Sequence, residues 1–154
     1  VYIQQKEVSM KPKDLPCICI RLRRSSQALT ALYNQALEAN GLTISQYQLM
    51  EKITKNPGCS TSQIANEVHL ERSTLARNLS RLAAEGMIMD ASLKGKRNSQ
   101  WHLTQQGKDA LEQAQEGWQR AQTRVYEEIG EEKMETFLEV MSQLQNIGEQ
   151  EEVK

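Results

Sequence analysis

Apolar residues recur every three or four positions over much of this 154-residue chain, a spacing that indicates amphipathic α-helices. The first stripe predicts a helix that Asp14 caps, with Pro16 in its first turn, and that continues to about Ala39. The next helix is predicted to begin at Thr43, because Gln46 follows three residues later at the spacing of a capping box.

The elements predicted in the middle of the chain are shorter. A short helix predicted to begin with Thr61 as its cap is followed by a turn and by a second helix, which Glu71 caps and Gly86 ends. Residues 87–93 and 99–103 then indicate two short strands, joined by a basic loop that contains glycine. This order predicts a winged helix-turn-helix, a unit that binds duplex DNA.

Two longer helical stripes follow the predicted wing. Thr104 is expected to cap a helix that runs to about Ile129, and Gly130 separates it from a last helix between Glu131 and Ile147. Apolar residues in both alternate between three- and four-residue spacing, which is typical of helices that pack along a shared seam.

Length and composition fit one domain rather than several. The chain is 38% apolar and 25% charged, and no apolar run approaches the roughly 20 residues that a membrane-spanning helix needs. We therefore expect a mostly α protein with a small β-wing. Residues 1–13 would form a flexible N-terminus and residues 14–154 a single domain, with the winged helix-turn-helix at 43–104. The beginning of the chain has no apolar signal-peptide core, so the expected location is cytoplasmic.

Charge is distributed unevenly along the chain, although the net charge is only −1. Residues 72–104 carry six basic and two acidic side chains, a net +4, whereas residues 105–154 carry five basic and twelve acidic ones, a net −7. A basic region in an otherwise acidic chain suits a protein that presents one face to phosphate.

The candidate DNA-binding residues come from three places in the predicted motif. Arginine and asparagine on the polar face of the second helix match the edges of guanine and adenine, while serine and threonine suit phosphates or base edges. Cations at the wing tip and polar groups at the start of the first helix suit the DNA backbone. The set is Arg72, Ser73, Thr74, Arg77, Asn78 and Arg81 on the second helix, Lys94, Lys96 and Arg97 in the wing, and Thr61, Ser62 and Gln63 on the first helix.

The same stretch resembles the MarR family of bacterial repressors, which are dimeric winged-helix proteins. The resemblance runs from about Leu15 to Ile147. Its most specific segments are Gly41-Leu42-Thr43 with Gln46, Glu71-Arg72-Ser73-Thr74-Leu75, Arg81-Leu82 with Glu85-Gly86-Met87-Ile88, and Leu103-Thr104 with Gly107.

The resemblance implies a dimer, formed by terminal helices at 14–40 and 105–148, that binds a palindromic operator. The wing of this chain departs from the family's pattern at one position. The family usually has an acidic residue two positions before the wing arginine, and this chain has Gly95 there, ahead of Arg97.

Two kinds of signal are consistent with this family. The first is a small aromatic effector, held between the dimerisation helices and the DNA-binding lobe, for which Arg24, Tyr33 and Tyr47 are the candidate pocket residues. The second is peroxide or another oxidant. The organic-hydroperoxide sensors of the family use a cysteine in the first helix, and by position Cys19 matches it better than Cys17, with Tyr33 matching a tyrosine that hydrogen-bonds it.

Other function classes are less well supported by the sequence. The chain has two histidines, no glycine-rich phosphate loop and no paired acids in a strand-loop setting, so we do not expect an enzyme. Cys59, His69 and His102 lack the spacing of a metal site, and no metal or cofactor is expected. A winged helix that binds protein rather than DNA remains an alternative, although the basic 72–97 segment argues against it.

Overall fold

The computed structural model describes residues 11–68, 70–93 and 98–152, and these are mostly helical with one two-stranded antiparallel sheet. In chain order the elements are α1 (Ile18–Leu37), α2 (Ile44–Lys55), α3 (Thr61–Val68), α4 (Arg72–Ala84), β1 (Ile88–Asp90), β2 (Trp101–Leu103), α5 (Gln105–Ile129) and α6 (Glu131–Glu152). The predicted fold class, a mostly α protein with a small β-wing, is confirmed.

Three predicted helix caps are confirmed by their hydrogen bonds. The backbone N–H of Gln46 donates to Thr43 Oγ1 at 3.3 Å, and the Thr43 N–H donates to Gln46 Oε1 at 2.9 Å, which completes the capping box. At the start of α4 the Glu71 carboxylate accepts from an N–H in the first turn, at 3.2 Å. Thr104 Oγ1 does the same for α5, accepting from the Gly107 N–H at 3.0 Å.

The start of α1 was predicted wrongly. Asp14 ends a short 3-10 turn, Pro12–Asp14, and α1 begins four residues later at Ile18 without a side-chain cap. The reason is Pro16: a proline disfavours the helical conformation in the residue before it, and Leu15 accordingly has extended backbone with ψ of 138°. The turn therefore cannot continue directly into the helix.

Three smaller predictions also differ from the structure. Ser60, not Thr61, supplies the hydroxyl that accepts from the Gln63 N–H at the start of α3. The strands are shorter than predicted, since pairing stops at Asp90 and Trp101. The last helix continues past Ile147 to Glu152, because a single glycine in that stretch does not interrupt a helix.

The core lies beneath the helix-turn-helix. Leu49, Met50 and Ile53 of α2 meet the buried leucines of α4, and Ile88 of the wing closes one side. The long helix α5 packs against this core at Gly107, where a Cβ atom would lie only 1.9 Å from the Met87 carbonyl oxygen. Because glycine has no Cβ, the backbone of α5 can approach the base of the wing this closely.

The terminal helices are the least covered part of the protein. Residues 131–150 of α6 include no fully buried side chain, and from 15 to 31 every residue except Leu22 is exposed. Large apolar side chains are exposed along these segments and at the end of α5: Leu15, Ile18, Ile20, Leu29, Tyr126, Ile129, Phe137, Leu138, Val140 and Ile147. No helix in the described ranges is both long enough and apolar enough to span a membrane.

Candidate nucleic-acid interface and effector cavity

Helix α4 has two sharply different faces. Leu75, Leu79 and Leu82 are at most 3% exposed and anchor the helix on the core. Arg77 and Arg81 lie on the opposite face in solvent. Among the other predicted α4 contacts, Arg72 and Ser73 are exposed, whereas Thr74 and Asn78 are half-buried. Four of the six predicted α4 residues are therefore exposed, and the other two are partly covered.

Acidic side chains hold both ends of α4. The Ser73 hydroxyl donates to the Glu71 carboxylate, and this bond, followed by the backbone N–H groups of Ser73 and Thr74, lowers the Glu71 pKa. At the other end Arg81 Nε lies 3.0 Å from Glu85 Oε1, one helical turn away. Arg77 has no such acid on its own helix face, since the residues one turn either side of it are Ser73 and Arg81.

The start of α3 is tied to the wing. The Thr61 hydroxyl accepts from the Trp101 indole N–H at 2.9 Å and lies 2.8 Å from the Ser99 hydroxyl, which also accepts from the Thr61 N–H at 3.0 Å. Gln63 is likewise engaged, because its side chain accepts from the Ser60 N–H at 2.8 Å. Ser62, the third predicted α3 contact, is exposed, and its side chain forms no such bond with the described residues.

A shallow hollow of about 320 Å³ separates α3 from α4 on this side of the molecule. Thr61, Ser62 and Arg72 line it, which brings together predicted residues from both helices. Asn66 also lines it and was not predicted. Its position one turn after Ser62 on the exposed face of α3 is the sequence signal that would have identified it.

The base of the wing is well fixed. The Asp90 carboxylate accepts from the backbone N–H groups of Gln100 at 2.8 Å and Ser92 at 2.9 Å, and these bonds lower its pKa. The predicted tip cations Lys94, Lys96 and Arg97 lie outside the described residues, as do Gly95 and His69.

A cavity of about 800 Å³ lies where α1, α2, α5 and α6 meet. Its lining is mainly apolar and aromatic, with several hydroxyl and amide groups and one charged side chain, that of Arg23. The described lining residues are Cys19, Leu22, Arg23, Ser26, Leu29, Thr30, Tyr33, Ile44, Ser45, Gln48, Leu70, Trp118, Gln122 and Met141.

Of the three residues predicted for an effector pocket, Tyr33 lines the cavity, whereas Arg24 and Tyr47 are not among its described lining residues. Tyr33 lies on the cavity wall, where its hydroxyl donates to Gln122 Oε1 and burial raises its pKa. Arg24 is not among the described lining residues, and Arg23 is there instead, because neighbours in a helix point about 100° apart.

Tyr47 is also absent from the cavity lining, although it lies close behind it. Its ring stacks on Trp118 with centroids 6.0 Å apart and an angle of 11° between the planes, and Trp118 forms the wall. Burial, and then the nearby Glu51 charge, raise the Tyr47 pKa. Trp118 is one of the apolar residues at alternating spacing in the helix predicted after the wing, and the sequence did not assign it to a pocket.

The cavity reaches the DNA-binding motif. Leu70, in the turn between α3 and α4, is part of its wall and is half-buried. It immediately precedes Glu71, the residue that caps α4. The cavity and the start of α4 are therefore two residues apart along the chain.

The cysteines occupy two environments. Cys17 and Cys19 are exposed at the start of α1, and Cys19 shares the cavity wall with Tyr33. Cys59 is buried beside β2, and burial raises its pKa. Within the described ranges no three histidine, cysteine or acidic side chains cluster as a metal site would require.

Comparison with known proteins shows which family these features resemble. The model of the MarR family matches residues 42–90, which span α2 to β1. An HTH-type transcriptional regulator of Bacillus cereus is 26% identical over 142 residues, covering 88% of this chain and 92% of the relative.

Solved structures agree with the sequence comparison. The M. tuberculosis transcriptional regulator MosR, in a crystal structure with DNA, is 28% identical, with a TM-score of 0.74 over 90% of this chain and 98% of MosR. The PcaV regulator of Streptomyces coelicolor, crystallised with its natural ligand, is 21% identical and shares the fold, with a TM-score of 0.75 over 84% of this chain and 92% of PcaV. The match to the MarR family model over residues 42–90, the winged fold and the outward polar face of α4 are together those of a DNA-binding transcriptional regulator of the MarR type.

Proposed function

We propose that this regulator is a dimeric repressor that binds a palindromic operator through α4 and the wing, and that a small aromatic effector in the 800 Å³ cavity releases it. The observation that carries the proposal is Leu70, which belongs both to the cavity wall and to the turn that leads into α4. An occupant of the cavity would press on the segment that orients the recognition helix.

Operator contact is supported by the exposed polar face of α4. Arg77, Asn78 and Arg81 are the proposed base readers, since arginine and asparagine match guanine and adenine edges in the major groove. Backbone contacts are assigned to the α3 and early α4 groups and to the wing: Thr61, Ser62, Gln63, Arg72, Ser73, Thr74, Lys94, Lys96 and Arg97. Thr61 and Gln63 would act mainly by fixing the start of α3.

A dimer is supported by the uncovered apolar side chains of the terminal helices. Those side chains fall within the segments 14–40 and 105–148, which the sequence assigned to dimerisation. Exposed apolar patches of this kind are typical of surfaces that another chain covers. A two-fold dimer would present two α4 helices to half-sites about 10 base pairs apart, which is why the operator is expected to be palindromic.

The lining of the cavity indicates the chemistry of the effector. Trp118 and the leucines offer apolar contact to a flat ring, and Arg23 offers a charge to an acidic substituent. PcaV, which shares the fold, was crystallised with its natural ligand. We therefore favour a small aromatic compound that carries a carboxylate or phenol.

A second candidate signal is an organic hydroperoxide, because Cys19 is exposed on the same wall as Tyr33. In this scheme the Cys19 thiolate attacks a peroxide oxygen, the O–O bond breaks, and the products are a sulfenic acid and an alcohol. Cys17 lies two residues away and is also exposed, so it is the nearest thiol for a following condensation.

The test is a titration of labelled DNA from upstream of the protein's own gene with the protein. Fluorescence anisotropy measures binding at two salt concentrations. The titration is repeated with salicylate, with cumene hydroperoxide and with a thiol reductant, for wild type, Cys19→Ser and Trp118→Ala. Release by salicylate that Trp118→Ala weakens and Cys19→Ser preserves supports the effector mechanism.

Other outcomes separate the remaining alternatives. Release by hydroperoxide alone, lost in Cys19→Ser and reversed by reductant, supports the redox mechanism in its place. A wild-type protein that binds no duplex better than unrelated DNA, even at low salt, contradicts the proposed operator binding.

A further inference from the structure

The polar face of α4 carries two exposed arginines in different settings. Arg81 Nε donates to Glu85 Oε1 at 3.0 Å, one helical turn away. Arg77 lies one turn closer to the start of the helix and forms no ion pair with another described residue. One arginine of this face is therefore held by an acid, and the other is not.

The acid that holds Arg81 stands on a fixed backbone. The Glu85 N–H donates to the Arg81 carbonyl at 2.9 Å, and the Glu85 carbonyl accepts from Gln106 Nε2 of α5 at 3.2 Å. The carbonyl of the next residue, Gly86, accepts from the Thr104 hydroxyl at 2.6 Å. The Glu85 side chain therefore extends from a point that α4 and the start of α5 define together.

Helix stability does not account for a glutamate at this position. Glu85 ends α4, where the carbonyl groups form the negative end of the helix dipole and an acidic side chain is unfavourable. Arginine followed by glutamate is also the less favourable order for an ion pair along a helix. In addition, the carboxylate places negative charge beside groups proposed to contact DNA, which opposes phosphate binding. What the acid does provide is a fixed partner for the Arg81 guanidinium.

The bond to Glu85 occupies one particular donor of Arg81. A guanidinium has five N–H donors, and the Nε–H that Glu85 accepts leaves both terminal amino groups free. Two such N–H groups form the fork that matches O6 and N7 of guanine in the major groove. Holding the side chain before DNA arrives also reduces the rotamer entropy that is lost when the fork contacts a base.

We propose that Glu85 is a positioning residue, which directs the Arg81 fork to a guanine in each half-site and so sets discrimination at that base pair. The inference rests on the proposed operator binding, in which Arg81 reads a base, and it adds the acid that orients this arginine. Arg77 has no such partner, so its contact with DNA does not depend on Glu85. The two arginines of α4 thus read DNA in different ways.

The experiment compares two variants of Glu85 that change the net charge equally. Glu85→Gln keeps an amide oxygen that can accept from Arg81 Nε, whereas Glu85→Ala removes the acceptor altogether. Arg81→Ala and Arg77→Ala identify the base pair that each arginine reads. The matched control is Glu67→Gln, which removes the partner of Lys52 in an ion pair with the same N–O distance of 3.0 Å, between α3 and α2.

Duplexes that the full-length wild-type protein selects from a randomised library supply the probe. Each base pair is then replaced in turn, and competition anisotropy gives the ratio of affinities for the selected and the replaced duplex, which is the discrimination. We expect Arg81→Ala to lower it about fivefold or more at one base pair of each half-site. Glu85→Ala should lower it about two- to fivefold at the same base pair, and Glu85→Gln by less. The base pair that Arg77→Ala identifies should be unaffected by both, and Glu67→Gln should change none.

The double variant Arg81→Ala/Glu85→Ala separates positioning from charge. If Glu85 acts through Arg81, the double variant discriminates as well as Arg81→Ala alone. Equal effects of Glu85→Gln and Glu85→Ala, or a gain in affinity that is the same for every duplex and persists without Arg81, would show an effect of charge on phosphate alone and overturn the inference.

Two further outcomes would also overturn it. Discrimination that Glu85→Ala leaves unchanged, or that Arg81→Ala leaves unchanged at every base pair, contradicts the positioning role while operator binding itself stands. A wild-type protein that selects no sequence from the library contradicts the proposed operator binding, and this inference with it.

Discussion

The indole nitrogen of Trp101 donates a hydrogen bond of 2.9 Å to the hydroxyl of Thr61. This bond joins β2 of the wing to the first residue of α3, which are 40 positions apart in the chain. Ser99 adds two further bonds to Thr61. Side-chain hydrogen bonds therefore join strand β2 of the wing directly to the start of the helix-turn-helix.

The first prediction concerns this bond. Trp101→Phe and Thr61→Val should each lower the free energy of unfolding, and a double-mutant cycle should give a coupling energy of about 1 kcal/mol, the usual net value of such a hydrogen bond. Urea denaturation measures the four unfolding free energies. Effects that simply add would show that the two side chains do not cooperate in solution.

The second prediction contrasts two glycines in long helices. Alanine at Gly107 would place its Cβ 1.9 Å from the Met87 carbonyl oxygen, so Gly107→Ala should destabilise the protein by about 1–3 kcal/mol or more. Gly148 in α6 has nothing within 4 Å of the same position, so Gly148→Ala should be neutral or stabilise by up to about 1 kcal/mol. Thermal unfolding of both variants is the measurement. Equal melting temperatures would contradict the close contact between α5 and the wing.

Much of this architecture followed from local sequence signals. Thr43, Glu71 and Thr104 each begin a helix by a side-chain bond to a backbone N–H within a few residues, so the sequence alone places them. Pro16 shows the limit, because its effect on Leu15 outweighed the capping preference of Asp14. The ends of the short strands were also harder to predict, since the Asp90 side chain, which accepts from the Gln100 N–H across the wing, forms a contact that the local sequence does not reveal.

The cavity could be predicted only in outline. Tyr33 lines it, but Arg23, Leu70 and Trp118 come from three different segments and meet only in the folded protein. Arg24 lies one helix position away from the lining residue Arg23, and Tyr47 lies behind the lining residue Trp118. Helix periodicity gives the face of a residue but not which neighbour covers that face.

The third prediction tests base reading by α4. Arg77 is exposed and forms no ion pair with another described residue, so Arg77→Ala should weaken operator binding by about 1–3 kcal/mol and binding to unrelated DNA by less. Lys55→Ala on α2, an exposed cation outside both the proposed DNA contacts and the dimerisation segments, is the matched control and should leave both affinities unchanged. Competition binding with operator and scrambled duplexes measures both. Equal losses on the two duplexes would make Arg77 a phosphate contact.

The fourth prediction separates the three thiols. Because burial raises the Cys59 pKa, iodoacetamide at about pH 8 should modify Cys17 and Cys19 well before Cys59, with the sites read by mass spectrometry. The same shift predicts how the free energy of unfolding depends on pH. Because Cys59 ionises less readily in the folded state, the neutral thiol favours the folded state below the ordinary thiol pKa of about 8.5. This stabilisation is lost as the pH rises through the raised pKa of Cys59 in the folded protein. A Cys59 that reacts as fast as Cys19 in the folded protein would refute its burial.

The last prediction addresses how the cavity acts on α4. If Leu70 transmits the effector signal, Leu70→Ala should bind an effector with nearly wild-type affinity but show a smaller loss of DNA affinity when the effector is present. Leu29→Ala is the matched control, because Leu29 lines the same cavity from α1 and has no link to the turn. That variant should bind the effector more weakly yet, once saturated, release DNA as wild type does.

Calorimetry with the effector and anisotropy with saturating effector give the two quantities separately. The ratio of DNA affinities with and without effector is the coupling, and thermodynamic reciprocity requires DNA to weaken effector binding by the same factor. A coupling unchanged by Leu70→Ala would show that the signal reaches α4 by another route. One such route is the stack of Trp118 of α5 on Tyr47 of α2. Trp118→Leu, which removes that stack while keeping an apolar wall, would then be the variant expected to lose the coupling.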